Sequence, residues 1–285
     1  MSKNGDVPHF SLIVQGRHLG QDDVSAIATM AKSTAIERIA AHAFRLKKSA
    51  KNEAIASFCE SRRIDPAWMP EGRRFADLKL LALDMDSTLI TIECIDELGE
   101  LAGKRAEIAA ITEQAMRGEL DFPGALRRRV AALAGLHESS LLRVYEERLR
   151  LTPGAETLLN ACKDNGVKLL LVSGGFSFFT GRLKARLDLD YTISNRLEIE
   201  NGRLTGRVLG DIVGAEAKAA KFRSVLLELN AGKELSVAIG DGANDLKMMA
   251  EAGLSIAFHA KPVVRAQADC ALTWSGLDAV LNLFE

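Results

Sequence analysis

Three short runs in this sequence are apolar without alternation: "LKLLALD" (Leu78 to Asp84), "VKLLLVSGG" (Val167 to Gly175) and "LSVAIGDG" (Leu235 to Gly242). A strand with one wet face alternates apolar and polar residues. A continuous run that stops at polar residues or glycine is covered on both faces, as in a parallel sheet between helices. The stretches "PGAETLLNACKDNG" and "GAEAKAAKFRSVLLELN" lie between the runs and have helical spacing. Strand alternating with helix predicts an open, doubly wound, Rossmann-like α/β domain, with ligands beyond the carboxyl ends of its strands.

The stretch 91–151 breaks the alternation. It is rich in Ala, Leu, Glu and Arg, with helical periodicity and turns at "LAGKR", "RGELDFPGA" and "LAGLHESS". About 60 residues directly after a first strand is too long for a plain loop, and it is read as a helical cap over the site. At the N-terminus, "FSLIVQG" (Phe10 to Gly16) reads as a strand, while "GQDDVSAIATMAK" and "KNEAIASFCESRRI" read as helices. "IERIAAHAFRLKK" fits strand or helix. "DPAWMPEGRR" (Asp65 to Arg74), with two prolines and a glycine, is the expected linker. The expected organisation is a small α+β module over 1–70, a catalytic core over 71–90 and 152–285, and the cap over 91–151.

The 285 residues are 47% hydrophobic and 26% charged, enough for a sizeable core and without a disorder signature. A net charge of −1 with no basic half gives a nucleic-acid partner no electrostatic support. The cysteines Cys59, Cys94, Cys162 and Cys270 form no CxxC pair, which suits reduced, buried thiols. The five histidines are dispersed and read as structural or solvated. With no leader and no apolar run of about 18 residues, a soluble cytoplasmic protein without membrane partners is expected.

Asp84 and Asp86 end the first run, and carboxylates at i and i+2 at a sheet mouth repel each other. Such a pair persists where a cation or shared proton offsets the repulsion. "GDGAND" (Gly240 to Asp245) adds Asp241, Asn244 and Asp245 after the third run, with glycines for a tight turn. Four carboxylates in one crevice call for a metal, and oxygen-only ligands select a hard cation, with Mg²⁺ the expected ion. Alone, Asp-x-Asp reads equally as a turn and GDGAND as a helix cap. Two further elements favour chemistry. "VSGGF" places Ser173 and free backbone N–H groups where they can hold phosphate oxygens. Lys218 can bring positive charge ahead of the last run, with Lys221 one turn on as the competitor.

In order, DMDST, SGGFS, the lysine and GDGAND resemble the four motifs of the haloacid dehalogenase superfamily. "DMDSTLI", "VSGGF", "NRLEIENGRLTG" and "GDGANDL" with the "IAFHAKP" that follows, together with cap residues in "AMRGELDF" and "LRRRV", look closer still to its phosphoserine phosphatases. The resemblance spans about Leu78 to Leu281. It implies Asp84 as nucleophile, Asp86 as general acid and then base, and Mg²⁺ held by Asp84, the Asp86 carbonyl and Asp241. It further implies Ser173, Gly174 and Lys218 on the phosphate, Asn244 as another substrate contact, and Asp245 as a supporting acid. In the cap it implies Glu93 on the substrate ammonium, Arg129 on its carboxylate, and Met116 and Phe122 closing over it. It also implies an ACT-like regulatory domain in front, of which this short segment would be a degenerate or partial version.

The chemistry supports these roles separately. A carboxylate attacking a phosphate dianion needs positive charge to offset repulsion. An acyl phosphate splits one hard step into two easier ones. The acid must start protonated, so its pKa must be raised. Phosphoserine carries an ammonium and a carboxylate, which a Glu and a forked Arg complement. The plainer reading of Arg127, Arg128 and Arg129 is a solvated helix face, expected of two of them, and that of Glu93 is an acid facing a helix N-terminus. The expected activity is Mg²⁺-dependent hydrolysis of O-phospho-L-serine, ending serine synthesis. Transfer of the phosphoryl group to an acceptor such as homoserine is the alternative enzyme. A phosphorylated receiver fits the cap and GDGAND poorly. The N-terminal module leaves room for a ligand sensor or a homodimer contact.

Overall fold

Strand β1 (Phe10–Gln15) shows how the N-terminal segment folds, because its apolar residues are buried on both sides. This computed structural model describes residues 10–285, apart from the Met116 side chain. After β1 come α1 (Gln21–Met30), β2 (Ala35–Ala40), β3 (Ala43–Lys47), α2 (Glu53–Arg62) and β4 (Asp65–Pro70). The four strands form an antiparallel sheet in the order β2-β3-β1-β4, a ferredoxin-like βαββαβ arrangement. Leu12, Val14, Phe44 and Leu46 pack on Val24, Ile27, Ile55 and Cys59 of the two helices. On the opposite side Ile13, Ala67 and Met69 join the larger core together with Phe75, Leu78 and Phe284.

The segment expected as a linker is instead a strand. β4 pairs antiparallel with β1, from Phe10 opposite Pro70 to Gln15 opposite Asp65. Pro66 and Pro70 are tolerated because β4 is the edge of its sheet, where a missing N–H breaks no central ladder. The residues after it are tied down as well. Arg73 donates to the Gly253 carbonyl at 3.0 Å and the Glu234 carbonyl at 3.1 Å. The ambiguous "IERIAAHAFRLKK" resolves as the β2–β3 hairpin.

The second unit starts with β5 (Leu80–Asp84). Helices α3 (Cys94–Leu101), α4 (Arg105–Met116), α5 (Phe122–Ala131) and α6 (Ser139–Arg143) then follow without a strand between them. The chain returns through α7 (Ala155–Asp164), β6 (Lys168–Phe176), α8 (Ser177–Leu187), β7 (Tyr191–Glu200) and β8 (Arg203–Leu209). It ends with α9 (Ala215–Glu228), β9 (Ser236–Gly240), α10 (Leu246–Ala250), β10 (Leu254–Phe258), α11 (Pro262–Arg265), β11 (Cys270–Leu272) and a 3₁₀ segment, Leu277–Leu283. The sheet order is β11-β10-β9-β5-β6-β7-β8, parallel except for β8. Leu81 and Leu83 of β5 enter one core cluster, while Leu80 and Ala82 enter another with Phe222, Val225 and Met248. Both faces of the sheet are therefore covered, which accounts for the unbroken apolar runs. The antiparallel β7–β8 hairpin turns at Asn201 and Gly202, both at positive φ (51° and 74°). All four cysteines are buried and unpaired. Among the described residues no helix is long and apolar enough to cross a membrane.

Candidate active site

Strand register brings the motifs to one level. Asp84 is paired with Val172, and Leu83 lies opposite Ile239. Ser173 and the Gly240–Asp241 pair therefore leave the sheet beside Asp84, at the carboxyl edge on either side of the first strand. Beyond Asp84 the chain makes one tight turn, Met85–Leu89, in which Ser87 takes a left-handed conformation at φ 56°. Backbone bonds fix the turn: Ile90 N–H donates to Met85 O at 3.0 Å and Ser87 N–H to Ile92 O at 3.2 Å. Holding a serine there costs on the order of 1–3 kcal/mol, so the surroundings must impose it. The conformation directs Ser87 Oγ to Glu93 Oε1, 2.7 Å away. The buried Thr88 hydroxyl donates to Asp241 Oδ1 at 3.2 Å.

Asp86 points to the start of α3. Its Oδ1 accepts the free Cys94 N–H at 2.8 Å, and Ser173 Oγ lies 3.5 Å from its Oδ2. Burial, with Glu93 nearby, pushes the Asp86 carboxyl up to about 7. A group poised there can both give and take a proton near neutrality. Ser173 Oγ in turn accepts Gly175 N–H at 2.8 Å.

Lys218 comes from the second turn of α9 and is fully buried. Its ammonium donates to Asp84 Oδ1 at 2.5 Å and to Asp245 Oδ1 at 2.7 Å. Burial alone would depress its pKa, but the Asp245 and Asp84 carboxylates outweigh burial and raise it. The Asp84 carboxyl is raised by burial, then by Asp245 and Asp241, against the pull of Lys218. Asp241 is pushed up to about 7 by burial and by Asp245. Asp84, Asp241 and Asp245 each offer an oxygen within 4.8 Å of the others. Two buried carboxylates and the half-buried Asp241 around one ammonium leave negative charge uncompensated, and an oxygen-only set suits a hard divalent cation. Asp245 already serves Lys218 and accepts Gly242 N–H at 3.1 Å, which leaves Asp84 and Asp241 freer to bind a cation.

Helix α5, within 91–151, reaches this cluster. Phe122, at the start of α5, sits against two glycines. A β-carbon at Gly174 would lie 2.8 Å from its Cζ, and one at Gly214 3.4 Å from its Cδ1. At Gly175 a β-carbon would meet Asp86 Oδ2 at 2.7 Å. The adjacent glycines of "SGG" thus make room for Phe122 on one side and the Asp86 carboxyl on the other. Gly174 also lies beside Asn244, whose Nδ2 would be 3.8 Å from that β-carbon. Of the three arginines on α5, Arg127 and Arg128 are exposed and Arg128 bonds Gln114 at 3.1 Å. Arg129 turns inward. Its Nε is buried without a partner, burial lowers its pKa, and it feels the charges of Asp96, Glu93 and Asp86. Glu93 is raised by burial and pulled down by the Ser87 bond. Met116 ends α4, and its side chain lies outside the described residues.

The structure thus gathers Asp84, Asp86, Glu93, Phe122, Arg129, Ser173, Gly174, Lys218, Asp241, Asn244 and Asp245 around one crevice. Lys221, the competitor of Lys218, lies over the Tyr191 ring at 5.4 Å. Sequence reasoning missed Ser87, Thr88 and the Cys94 amide as supports, and it missed Asn195. Asn195 Nδ2 donates to Gly174 O at 2.8 Å and its Oδ1 accepts Val213 N–H at 2.8 Å. The hydroxyls directly after Asp-x-Asp were the one signal available for the first two. Two open cavities, of about 530 and 350 Å³, lie elsewhere, one around Arg150 and Gly154 and the other between Gln15 and Asn282.

A strand ending in Asp84, a buried lysine and a second acidic turn, all at one sheet edge beside inserted helices, define a class of hydrolase. The model of the haloacid dehalogenase-like hydrolases matches residues 81–250, and the chain belongs to that family. Within it the chain groups with the phosphoserine phosphatases. It is 54% identical over 215 residues to a phosphoserine phosphatase of Polaromonas sp., covering 74% of this chain and 91% of that one. The structure of a probable phosphoserine phosphatase from Vibrio cholerae, unliganded, has a TM-score of 0.84 at 38% identity, covering 96% of this chain and 85% of that one. A structure described as a phospho-aspartyl intermediate analogue of phosphoserine phosphatase has a TM-score of 0.69 at 38% identity, covering 73% of this chain and 99% of that one.

Proposed function

We propose that this protein is a Mg²⁺-dependent phosphomonoesterase that hydrolyses O-phospho-L-serine to L-serine and phosphate through an aspartyl-phosphate on Asp84. The observation that carries this reading is the inward Arg129 and Glu93 of the insert, close to each other and to Asp86, beside the Lys218–Asp84–Asp245 cluster. Opposite charges above a phosphoryl-transfer centre complement a phosphorylated amino acid.

Asp84 and Asp241, with the Asp86 carbonyl, would hold Mg²⁺, which when bound supplies charge against the phosphoryl oxygens. Lys218, Ser173 Oγ and the Gly174 N–H hold the phosphate. Glu93 takes the ammonium and Arg129 the carboxylate. Asn244 touches the substrate, and Phe122 excludes water above it. Asp84 attacks phosphorus as the ester P–O bond breaks, and Asp86 gives its proton to the departing serine oxygen. Asp86, now ionised, takes a proton from water. The water oxygen attacks phosphorus, and the bond to Asp84 breaks to release phosphate. Asp245 holds Lys218 in place.

In this reading residues 71–90 and 152–285 form the core and 91–151 the cap. Within 1–70, of which residues 1–9 lie outside the described residues, residues 10–70 form an ACT-like module, supported by the βαββαβ order. A small-molecule partner in the cytoplasm suits the near-neutral charge better than nucleic acid or a membrane surface.

Phosphate release across phosphoserine, phosphothreonine, phosphoethanolamine and phosphoglycolate tests the proposal. Phosphoserine should give the highest kcat/KM, and equal rates on all four would refute it. Adding homoserine should yield no new phosphoester. Its appearance would favour the phosphotransferase reading.

A further inference from the structure

Asp65, at the start of β4, is a buried carboxylate that bonds only to another part of the fold. Its Oδ1 accepts the N–H of Thr273 at 2.8 Å, and its Oδ2 accepts that of Ser275 at 2.9 Å. The Trp274 N–H reaches both oxygens, at 3.2 and 3.0 Å. Three successive amides converging on one carboxylate form a rigid anion nest. They belong to the loop after β11, so the N-terminal module fixes that loop.

The loop holds a second segment in turn. His259 N–H donates to Leu272 O at 2.8 Å, and His259 Nε2 donates to Ser275 O at 2.9 Å. The imidazole stacks on Phe258 with centroids 4.1 Å apart. These contacts hold His259 in the left-handed region at φ 46°, a conformation that a non-glycine residue keeps only when its surroundings impose it. Two residues further on, Lys261 N–H reaches the Asp241 carbonyl at 3.5 Å. A continuous run of contacts thus leads from the N-terminal module to the acidic turn of the site, and neither Asp65 nor His259 has a part in the chemistry.

We propose that Asp65 is a positioning residue for the reaction: acting through residues 273–275 and His259, it sets the place of Asp241 and so the affinity of the site for its cation. The inference rests on the phosphatase reading for its effect on turnover, and its effect on cation binding can be measured without turnover. Asp65→Asn keeps the shape but turns an amide NH₂ toward donor N–H groups. His259→Asn tolerates the backbone conformation but is too short to reach Ser275 O, whereas His259→Gln offers a donor at the position of Nε2.

The test is calorimetric titration of Mg²⁺ into the full-length proteins, with kinetics on phosphoserine, well below each unfolding temperature. Asp65→Asn and His259→Asn should each weaken Mg²⁺ binding by about tenfold and lower kcat, with KM for phosphoserine held within about twofold. His259→Gln should restore both quantities, and the double variant should be no weaker than the weaker single one. Unchanged Mg²⁺ affinity in both single variants, or full additivity in the double, would overturn the proposal, whatever the loss of thermal stability. If Asp65→Asn does not fold, the His259 pair decides alone. If the wild-type protein bound Mg²⁺ but released no phosphate from phosphoserine, the activity would fall, and the titrations would still decide the coupling.

Discussion

Lys218 Nζ lies 2.5 Å from Asp84 Oδ1, and the lysine has no exposed surface. Burying an ammonium costs several kcal/mol, a cost that its carboxylate partners offset. In the proposed mechanism, the contact that neutralises the buried Asp84 also puts positive charge where the phosphoryl group is held. Stability and catalysis are therefore linked at this pair.

Asp84→Asn separates the two roles. Asparagine keeps the shape and still accepts from Lys218, so the fold should persist. The nucleophile is lost, and turnover should fall by about 10⁴-fold or more. Phosphate release and mass spectrometry of the acid-quenched protein check this. Wild-type protein should carry a phosphoryl group on Asp84 and the variant none, and an active variant would end the assignment.

Lys218→Met fills the space without charge and leaves Asp84 and Asp245 facing each other in a buried site. A loss of about 3–5 kcal/mol in urea unfolding is expected, because removing one member of a buried ion pair strands the others. Lys218→Arg keeps the charge but adds volume where the lysine has no free surface, and should cost about 1–3 kcal/mol. A Met variant as stable as wild type would mean that the buried pair contributes nothing.

The parallel core was legible because a strand buried on both faces must be apolar throughout, as Leu80 to Leu83 are. The β4 edge was not, since Pro66 and Pro70 signal a break locally and only the pairing with β1 makes them compatible with a strand. The β7–β8 hairpin carried a signal that went unused: Asn201-Gly202 between alternating residues, the dipeptide that favours positive φ at both turn positions. In the site, the charged residues stood out because uncompensated charge is rare in a core. Their supports did not. The bond from Ser87 to Glu93 depends on a left-handed backbone, and the nest around Asp65 joins residues 208 to 210 positions apart in the chain. Neither follows from local sequence.

Arg129→Ala should raise KM for phosphoserine by about 10- to 100-fold, the range for losing a hydrogen-bonded charged contact. It should leave phosphoethanolamine, which lacks the carboxylate, nearly unaffected. Arg129→Lys should recover part of the loss, because a point charge cannot reproduce the fork. Equal losses on both substrates would remove Arg129 from recognition and leave it a role in the insert alone.

Glu93 gives a pH test. Burial raises its carboxyl above the ordinary glutamate range, and the Ser87 hydroxyl opposes that rise by stabilising the ionised form. Only ionised Glu93 attracts the substrate ammonium. KM for phosphoserine should therefore increase as pH falls through this raised pKa, at a higher pH than an unperturbed glutamate would require. Phosphoglycolate has no ammonium, so the ratio of the two KM values cancels the titration of the phosphate and isolates Glu93. Ser87→Ala removes the opposing bond and should move the break in that ratio to higher pH. Ser87→Gly should do the same while relieving the left-handed backbone, and should unfold at higher urea than the alanine variant by about 1 kcal/mol. A ratio that is flat with pH in wild type and both variants would show that Glu93 does not bind the ammonium.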